Sequence, residues 1–158
     1  MAAEQTRKGI IAGILIGIGM GGFVDGIVLH QILQWHNMIS NVLPPETVEN
    51  MSINMVWDGI FHAFDWTMTL IGVFLLWSAA YHRNPIPSLK QFVGTLILGM
   101  GIFNLVEGII DHHILALHYV RQVPNYDLYN FSFLAIGGVL FILIGWLLMR
   151  PEKVTATE

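Results

Sequence analysis

Four long apolar stretches constrain this chain more than any other feature of its sequence. They cover approximately residues 9–36, 53–81, 89–119 and 128–149. Each stretch exceeds the about 20 residues that an α-helix needs to cross a hydrocarbon core. The 158 residues are 54% hydrophobic and only 11% charged, which is far below the about 25% charged residues of an ordinary soluble domain. The sequence therefore predicts one integral membrane domain over 1–158, an all-α four-helix bundle with an outer loop at 37–52.

The composition also excludes several classes of protein and site. The chain has no cysteine, so disulfide scaffolds, thiolate zinc sites, iron–sulfur clusters and cysteine nucleophiles are ruled out together. Its few charges, with a formal net charge of −4, also exclude a nucleic-acid-binding protein. The bilayer is the partner that the composition predicts.

Basic residues predict how the four spans are oriented. Six of the seven lysines and arginines fall on one side of the membrane: Arg7, Lys8, Arg83, Lys90, Arg150 and Lys153. Because basic residues are enriched on the cytoplasmic side of a membrane protein, both termini are expected to be cytoplasmic. The expected location is the bacterial inner membrane.

Small residues recur every four positions along the first span, at Gly9, Gly13, Gly17 and Gly21. This spacing predicts a smooth helix face that allows another helix to approach closely. The partner of this face is either another helix of the same chain or a second copy in a homo-oligomer.

The first and third spans contain an internal repeat. A shift of 82 residues aligns 25–36 with 107–118, and both segments read acid, Gly, Ile, aliphatic, any residue, His, and end in a second His. The repeat predicts a duplicated two-helix hairpin with a parallel pseudo-two-fold axis along the membrane normal. The second helices match less well: Asp58 can be aligned with Asp127, but His62 and Asp65 fall opposite apolar residues.

Ionisable residues inside the spans are candidates for function, because each costs several kcal/mol in lipid unless it is paired or bound to a metal. At about 1.5 Å of rise per residue, the carboxylates and histidines of three helices reach one level in the outer half of the bundle. The candidate metal ligands are Asp25, His30, His36, Asp58, His62, Asp65, Glu107, Asp111, His112 and His118.

The spacing within the repeat leaves two geometries open. Acid and first histidine are five residues apart, so on an ideal α-helix they do not share a face. Either they contact different neighbours, or Gly26 and Gly108 permit π-bulges that bring them together. His36 and His118 are expected about 16 Å further out along straight helices, where they would line an entrance.

Imidazole with carboxylate is a ligand set for zinc, iron, manganese or copper(II), and a divalent ion would cancel the carboxylate charge. The leading hypothesis is therefore a transition-metal site, mononuclear or dinuclear, for metal handling or redox chemistry. A haem with His30 and His112 as axial ligands and a proton- or cation-coupled transporter are alternatives. Any enzymatic activity is expected to be metal-dependent and of the oxidoreductase type.

Three strings carry a resemblance to a known family: the repeat segment from Val24 to His36, Trp57-Asp58-Gly59 with His62, and the repeat segment from Glu107 to His118. On these strings the chain resembles a family of bacterial four-span membrane proteins catalogued as domain of unknown function 2243 (DUF2243). The resemblance implies the four-span architecture and a site shared by the motif residues. It also suggests respiratory or copper-handling partners.

Overall fold

A computed structural model describes residues 2–150 and the side chains of residues 7–150. These residues form four helices and no strand, which confirms the all-α prediction. Helix α1 is Ala2–Val24 continued by Asp25–Ile32, α2 is Val48–Tyr81, α3 is Leu89–Glu107 continued by Gly108–Ile114, and α4 joins Tyr126–Ser132, Phe133–Leu140 and Phe141–Met149. Lys153, one of the bases used to predict orientation, lies outside the described residues.

All four helices contain segments that are long and apolar enough to cross a membrane. The candidate spans are Arg7–Ile32, Val48–Tyr81, Leu89–Ile114 and Tyr126–Met149. Large apolar side chains cover their outer surfaces, and Trp66 and Phe74 of α2 are 60% and 64% exposed. In a bilayer, these surfaces contact lipid.

Side-chain hydrogen bonds define where α2 and α3 begin. Thr47 accepts a hydrogen bond from the backbone N–H of Asn50 before the first turn of α2. Ser88 and Gln91 form a reciprocal capping box at the start of α3. These bonds satisfy backbone donors that have no partner inside the helix.

Helices α1 and α3 form the centre of the bundle, with α2 packed on α1 and α4 packed on α3. The two central helices touch at Gly17 and Gly99: a Cβ atom on Gly17 would lie 3.0 Å from the Cα of Gly99, and the reverse distance is 2.8 Å. Gly13 and Gly21 also face α3. The glycine face is therefore occupied within the chain, and a homo-oligomer through it would have to displace α3.

The loop-side parts of α1 and α3 change from α-helical to π-helical geometry. The π segments are Asp25–Ile32 and Gly108–Ile114, the same part of the repeat in both helices. Their i→i+5 hydrogen bonds place residues five apart on one face. Of the two geometries that the sequence leaves open, the structure has the π-helical one. It also has a third π segment, Phe133–Leu140 in α4, which the sequence pattern did not predict.

Each of the two π segments in α1 and α3 is followed, two residues after its end, by a residue in the left-handed conformation. Gln34 has a φ of 50° and Ala116 a φ of 47°, and these two positions are 82 residues apart. Residues with a Cβ rarely adopt this conformation, which costs roughly 1–2 kcal/mol. The predicted first and third spans run to residues 36 and 119, but the helices stop at Ile32 and Ile114 because the chain turns here.

Candidate metal centre

Two groups of one acid and two histidines meet between α1 and α3. They lie at the end of the bundle that carries the connections 33–47 and 115–125, which we call the loop end. The first triad is Asp25, His30 and His36, and the second triad is Glu107, His112 and His118. All six residues are buried, with at most 6% of any of them exposed.

In the first triad, one carboxylate oxygen contacts one histidine nitrogen and lies near a second. Oδ2 of Asp25 lies 3.1 Å from Nε2 of His30 and 4.0 Å from Nε2 of His36. The two rings are in edge contact, with centroids 4.3 Å apart. Nε2 of His30 approaches this oxygen from the π segment of α1, and Nε2 of His36 approaches it from the connection 33–47.

The second triad repeats this arrangement more tightly. Oε1 of Glu107 lies 2.8 Å from Nε2 of His112 and 3.0 Å from Nε2 of His118. The two Nε2 atoms are 3.1 Å apart. These three atoms are close enough together to hold one metal ion, since metal–ligand bonds of about 2.0–2.2 Å can reach atoms at such separations.

The second histidine of each triad corrects an expectation. His36 and His118 do not lie about 16 Å beyond the acids, because the left-handed turns at Gln34 and Ala116 fold the chain back toward the bundle. His118 consequently reaches the same Glu107 oxygen as His112. Straight extrapolation of a helix beyond the π segment made this prediction wrong.

The two triads are joined by reciprocal hydrogen bonds. Nδ1 of His36 donates to the carbonyl of Val120 at 2.9 Å, and Nδ1 of His118 donates to the carbonyl of Met38 at 2.9 Å. Both pairs follow the 82-residue offset of the sequence. The rings of His36 and His118 stack between them, with centroids 4.5 Å apart and an angle of 9°.

These bonds determine where the histidine lone pairs point. A carbonyl can only accept, so the proton is on Nδ1 and the lone pair of neutral imidazole is on Nε2. Nε2 of His36 is buried and has no hydrogen-bond partner. Burial lowers the pKa of His36, and repulsion from His118 and His30 lowers it further, so this ring stays neutral. A histidine that donates its other nitrogen to a carbonyl in this way is typical of metal ligands.

Asp58, predicted as a ligand, lies behind His30 and orients it. Its Oδ1 atom is 3.0 Å from Nδ1 of His30 and accepts a 2.8 Å hydrogen bond from the backbone N–H of Met38. The side chain of Asn37 donates to Oδ2 at 2.9 Å. A carboxylate on the far nitrogen of an imidazole is the usual support of a metal-binding histidine.

Asn130 of α4 takes the corresponding position in the second half. Its Oδ1 atom accepts the backbone N–H of Val120 at 3.0 Å, as Asp58 accepts that of Met38. Its Nδ2 atom and Nδ1 of His112 are both buried without a partner. The alignment of Asp58 with Asp127 missed Asn130. The sequence carries one signal for it, a polar amide side chain in the first turns of an otherwise apolar helix.

Besides Asp58, three predicted ligands lie outside both triads. His62 donates from Nδ1 to the carbonyl of Asp58 at 2.8 Å, and its Nε2 atom is buried next to Gly26. Asp65 is fully buried beside Gly22, and neither carboxylate oxygen has a partner. Asp111 is partly exposed on the lipid-facing side of α3.

Comparison with known proteins gives one match. No curated protein matches the chain, and no solved structure does. A family model described as "Predicted membrane protein (DUF2243)" matches residues 12–152, which confirms the resemblance in the motif strings. The chain therefore belongs to this family of predicted membrane proteins.

Proposed function

We propose that this protein binds transition-metal ions within the membrane, with one ion in each triad. The observation that carries the proposal is the orientation of His36 and His118, whose Nε2 lone pairs are directed toward buried carboxylates by bonds from Nδ1 to backbone carbonyls. Nε2 of His118 lies 3.0 Å from Oε1 of Glu107, and without a metal this contact requires a second proton on an imidazole whose Nδ1 already donates to a carbonyl. A metal ion would take the place of that proton, because metal binding to histidine requires the neutral ring.

The donor atoms restrict the choice of metal. Each triad offers two imidazole nitrogens and one carboxylate, the set that non-haem iron(II) sites use with open coordination positions. Manganese, zinc and copper(II) also accept nitrogen and oxygen ligands. The open positions suit metal handling or redox chemistry, and any enzymatic activity would depend on the metal.

Polar cavities support access from the loop end. A cavity of about 420 Å³ reaches His36, and its wall includes Asn37, Ser40 and Glu46. A second cavity of about 340 Å³ reaches His30 and Asp58. No carboxylate within the candidate spans lies further from the loop end along its helix than Asp65. This distribution favours a one-sided binding site over a transporter relay.

The orientation in the membrane is part of the proposal. The loop end faces outward and the termini are cytoplasmic, because six of the seven basic residues of the sequence lie on the terminal side. Reporter fusions at residue 150 and in the loop 37–47 test this arrangement in a bacterial inner membrane. Respiratory or copper-handling partners stay a prediction.

The ring packing argues against the haem alternative. His36 stacks on His118 at 4.5 Å, and these two rings connect His30 to His112 through edge contacts of 4.3 and 4.7 Å. A porphyrin between His30 and His112 would need that space. An absorption spectrum without a Soret band agrees with this argument, and a Soret band would overturn it.

The test is metal analysis of detergent-purified protein, with X-ray absorption at the edge of the metal found. We expect about two ions per chain and first neighbours that are only nitrogen and oxygen, at about 2.0–2.2 Å. Replacing His36 and His118 together with alanine is expected to remove the metal. His113→Ala is the matched control, because this exposed histidine contacts Phe131 and belongs to neither triad. Unchanged metal content in the double variant would overturn the proposal.

A further inference from the structure

An arginine side chain at the loop end contacts two aromatic rings. The guanidinium carbon of Arg121 lies 5.0 Å from the ring centroid of Trp35 and 5.3 Å from that of Tyr129. The two rings meet edge to face with centroids 5.8 Å apart, and Nη1 of Arg121 donates a 2.8 Å hydrogen bond to the hydroxyl of Tyr129. A cation over an aromatic ring is attracted by the negative face of that ring. We call these three residues the arginine clamp.

The clamp joins two chain segments of the metal centre. Trp35 directly precedes His36, and Arg121 directly follows Val120. The carbonyl of Val120 accepts the 2.9 Å hydrogen bond from Nδ1 of His36, and the backbone N–H of Gln122 donates to the carbonyl of Trp35 at 3.3 Å. The clamp therefore fastens the segment that carries the ligand His36 to the segment that carries its orienting carbonyl.

His36 depends on contacts of this kind because no helix holds it. It lies beyond Ile32, where α1 ends, and beyond the left-handed turn at Gln34. Within the described part of the chain, its side chain makes one hydrogen bond, to Val120, and Nε2 has no partner. A ligand on a loop is placed less precisely than one on a helix unless supporting contacts lock it.

The repeat does not reproduce the clamp in the second half. The 82-residue shift aligns Trp35 with Leu117 and Ile39 with Arg121. The second half thus has neither the ring nor the cation at these positions. Whatever the clamp does, it does for one half of the molecule.

Asn41 holds the segment of His118 instead. Its Nδ2 atom donates to the carbonyl of Ala116 at 3.0 Å, and its backbone N–H donates to the carbonyl of Leu117 at 2.9 Å. These two bonds fix the residues directly before His118 without the clamp. Loss of the clamp should consequently displace His36 more than His118.

We propose that Arg121 is a positioning residue for the first triad, because through Trp35 and Val120 it keeps Nε2 of His36 directed toward Asp25. This inference rests on the proposed function and adds a residue that belongs to neither triad. Electrostatics alone predict the opposite effect of Arg121, since a positive charge near a cation site repels the cation. The sign of the change on removing this charge therefore distinguishes the two roles.

The test is equilibrium dialysis of the full chain against buffered Zn²⁺ in two backgrounds. His112→Ala/His118→Ala leaves the first triad, and His30→Ala/His36→Ala leaves the second. Arg121→Gln should lower the zinc affinity of the first triad about tenfold, as loss of a supporting contact usually does, and leave that of the second within about twofold. A higher affinity of the first triad, or an equal loss in both, would overturn the proposal.

Two further variants sharpen this result. Arg150→Gln is the matched control, because Arg150 also lies over a tryptophan ring, 3.8 Å from the centroid of Trp146, but at the other end of the bundle. It should change neither affinity. Arg121→Lys keeps a cation that can lie over the ring of Trp35 and should restore part of the affinity lost in Arg121→Gln. A lysine variant weaker than the glutamine variant would contradict the clamp.

Hydrogen exchange of the metal-free protein tests the clamp independently of zinc. Arg121→Gln should speed amide exchange in peptides that cover residues 33–38 and 118–123, and leave peptides from the middle of α3 unchanged. Unchanged exchange at 33–38 would overturn the positioning role. If neither background binds zinc, the proposed function fails, and hydrogen exchange still decides whether Arg121 holds the segment of His36.

Discussion

The two halves of the molecule build the same triad but support it differently. In the first half, Nδ1 of His30 faces the carboxylate of Asp58 at 3.0 Å. In the second half, the corresponding backbone contact is made by the amide of Asn130, and Nδ1 of His112 has no partner. A carboxylate makes the imidazole a stronger donor to a metal, so the first triad is expected to bind its ion more tightly.

The largest effect is expected at the contact of Gly17 with Gly99, because both halves of the molecule depend on it. Gly17→Leu or Gly99→Leu puts a side chain into the backbone of the opposite central helix, which should prevent folding. The measurement is the yield of monodisperse protein in gel filtration. Gly59→Leu is the control, because a Cβ atom there meets nothing within 4 Å. Normal yield from Gly17→Leu would contradict the proposed close contact of α1 and α3.

Asp58→Asn makes the first half resemble the second. The loss of the carboxylate behind His30 should lower the metal affinity of the first triad by about 10- to 100-fold, which is the usual effect of losing such a support. Equilibrium dialysis against a metal buffer measures both affinities. Asp127→Asn, an exposed position at the start of α4, should change neither. If Asp58→Asn lowered the metal affinity of both triads equally, the distinction between the halves would be wrong.

Asn130→Asp is the reverse exchange. An aspartate keeps the oxygen that accepts the backbone N–H of Val120 and brings a carboxylate to the second half. We expect the second ion to bind up to about tenfold more tightly, with the first unchanged. A lower metal affinity of the second triad in the same dialysis experiment would show that Asn130 does not correspond to Asp58.

The smallest effects are expected at the two left-handed turns. Gln34→Gly and Ala116→Gly relieve an unfavourable φ, but glycine also costs entropy on folding, so the net gain should be under about 1 kcal/mol. Both variants should raise the midpoint of thermal unfolding slightly and by similar amounts. A loss of stability in only one of them would break the equivalence of the turns.

The sequence predicts the spans and the triad residues better than it predicts their geometry. Hydropathy locates four membrane helices because lipid leaves the backbone few alternatives, and the offset from Asp25 to Glu107 identifies the paired acids. The π segments and the left-handed turn at Gln34 depend on tertiary contacts such as that of His36 with Val120. Asn130 was missed because α2 and α4 have diverged, so their register could not be read from sequence identity.

The most direct test of the central claim is the number of metal ions per chain in three purified proteins. These are the wild type, the double variant His30→Ala/His36→Ala and the double variant His112→Ala/His118→Ala. Two triads with one ion each predict about two ions in the wild type and about one in each double variant. Less than one ion in the wild type, or full metal content in both double variants, would contradict it.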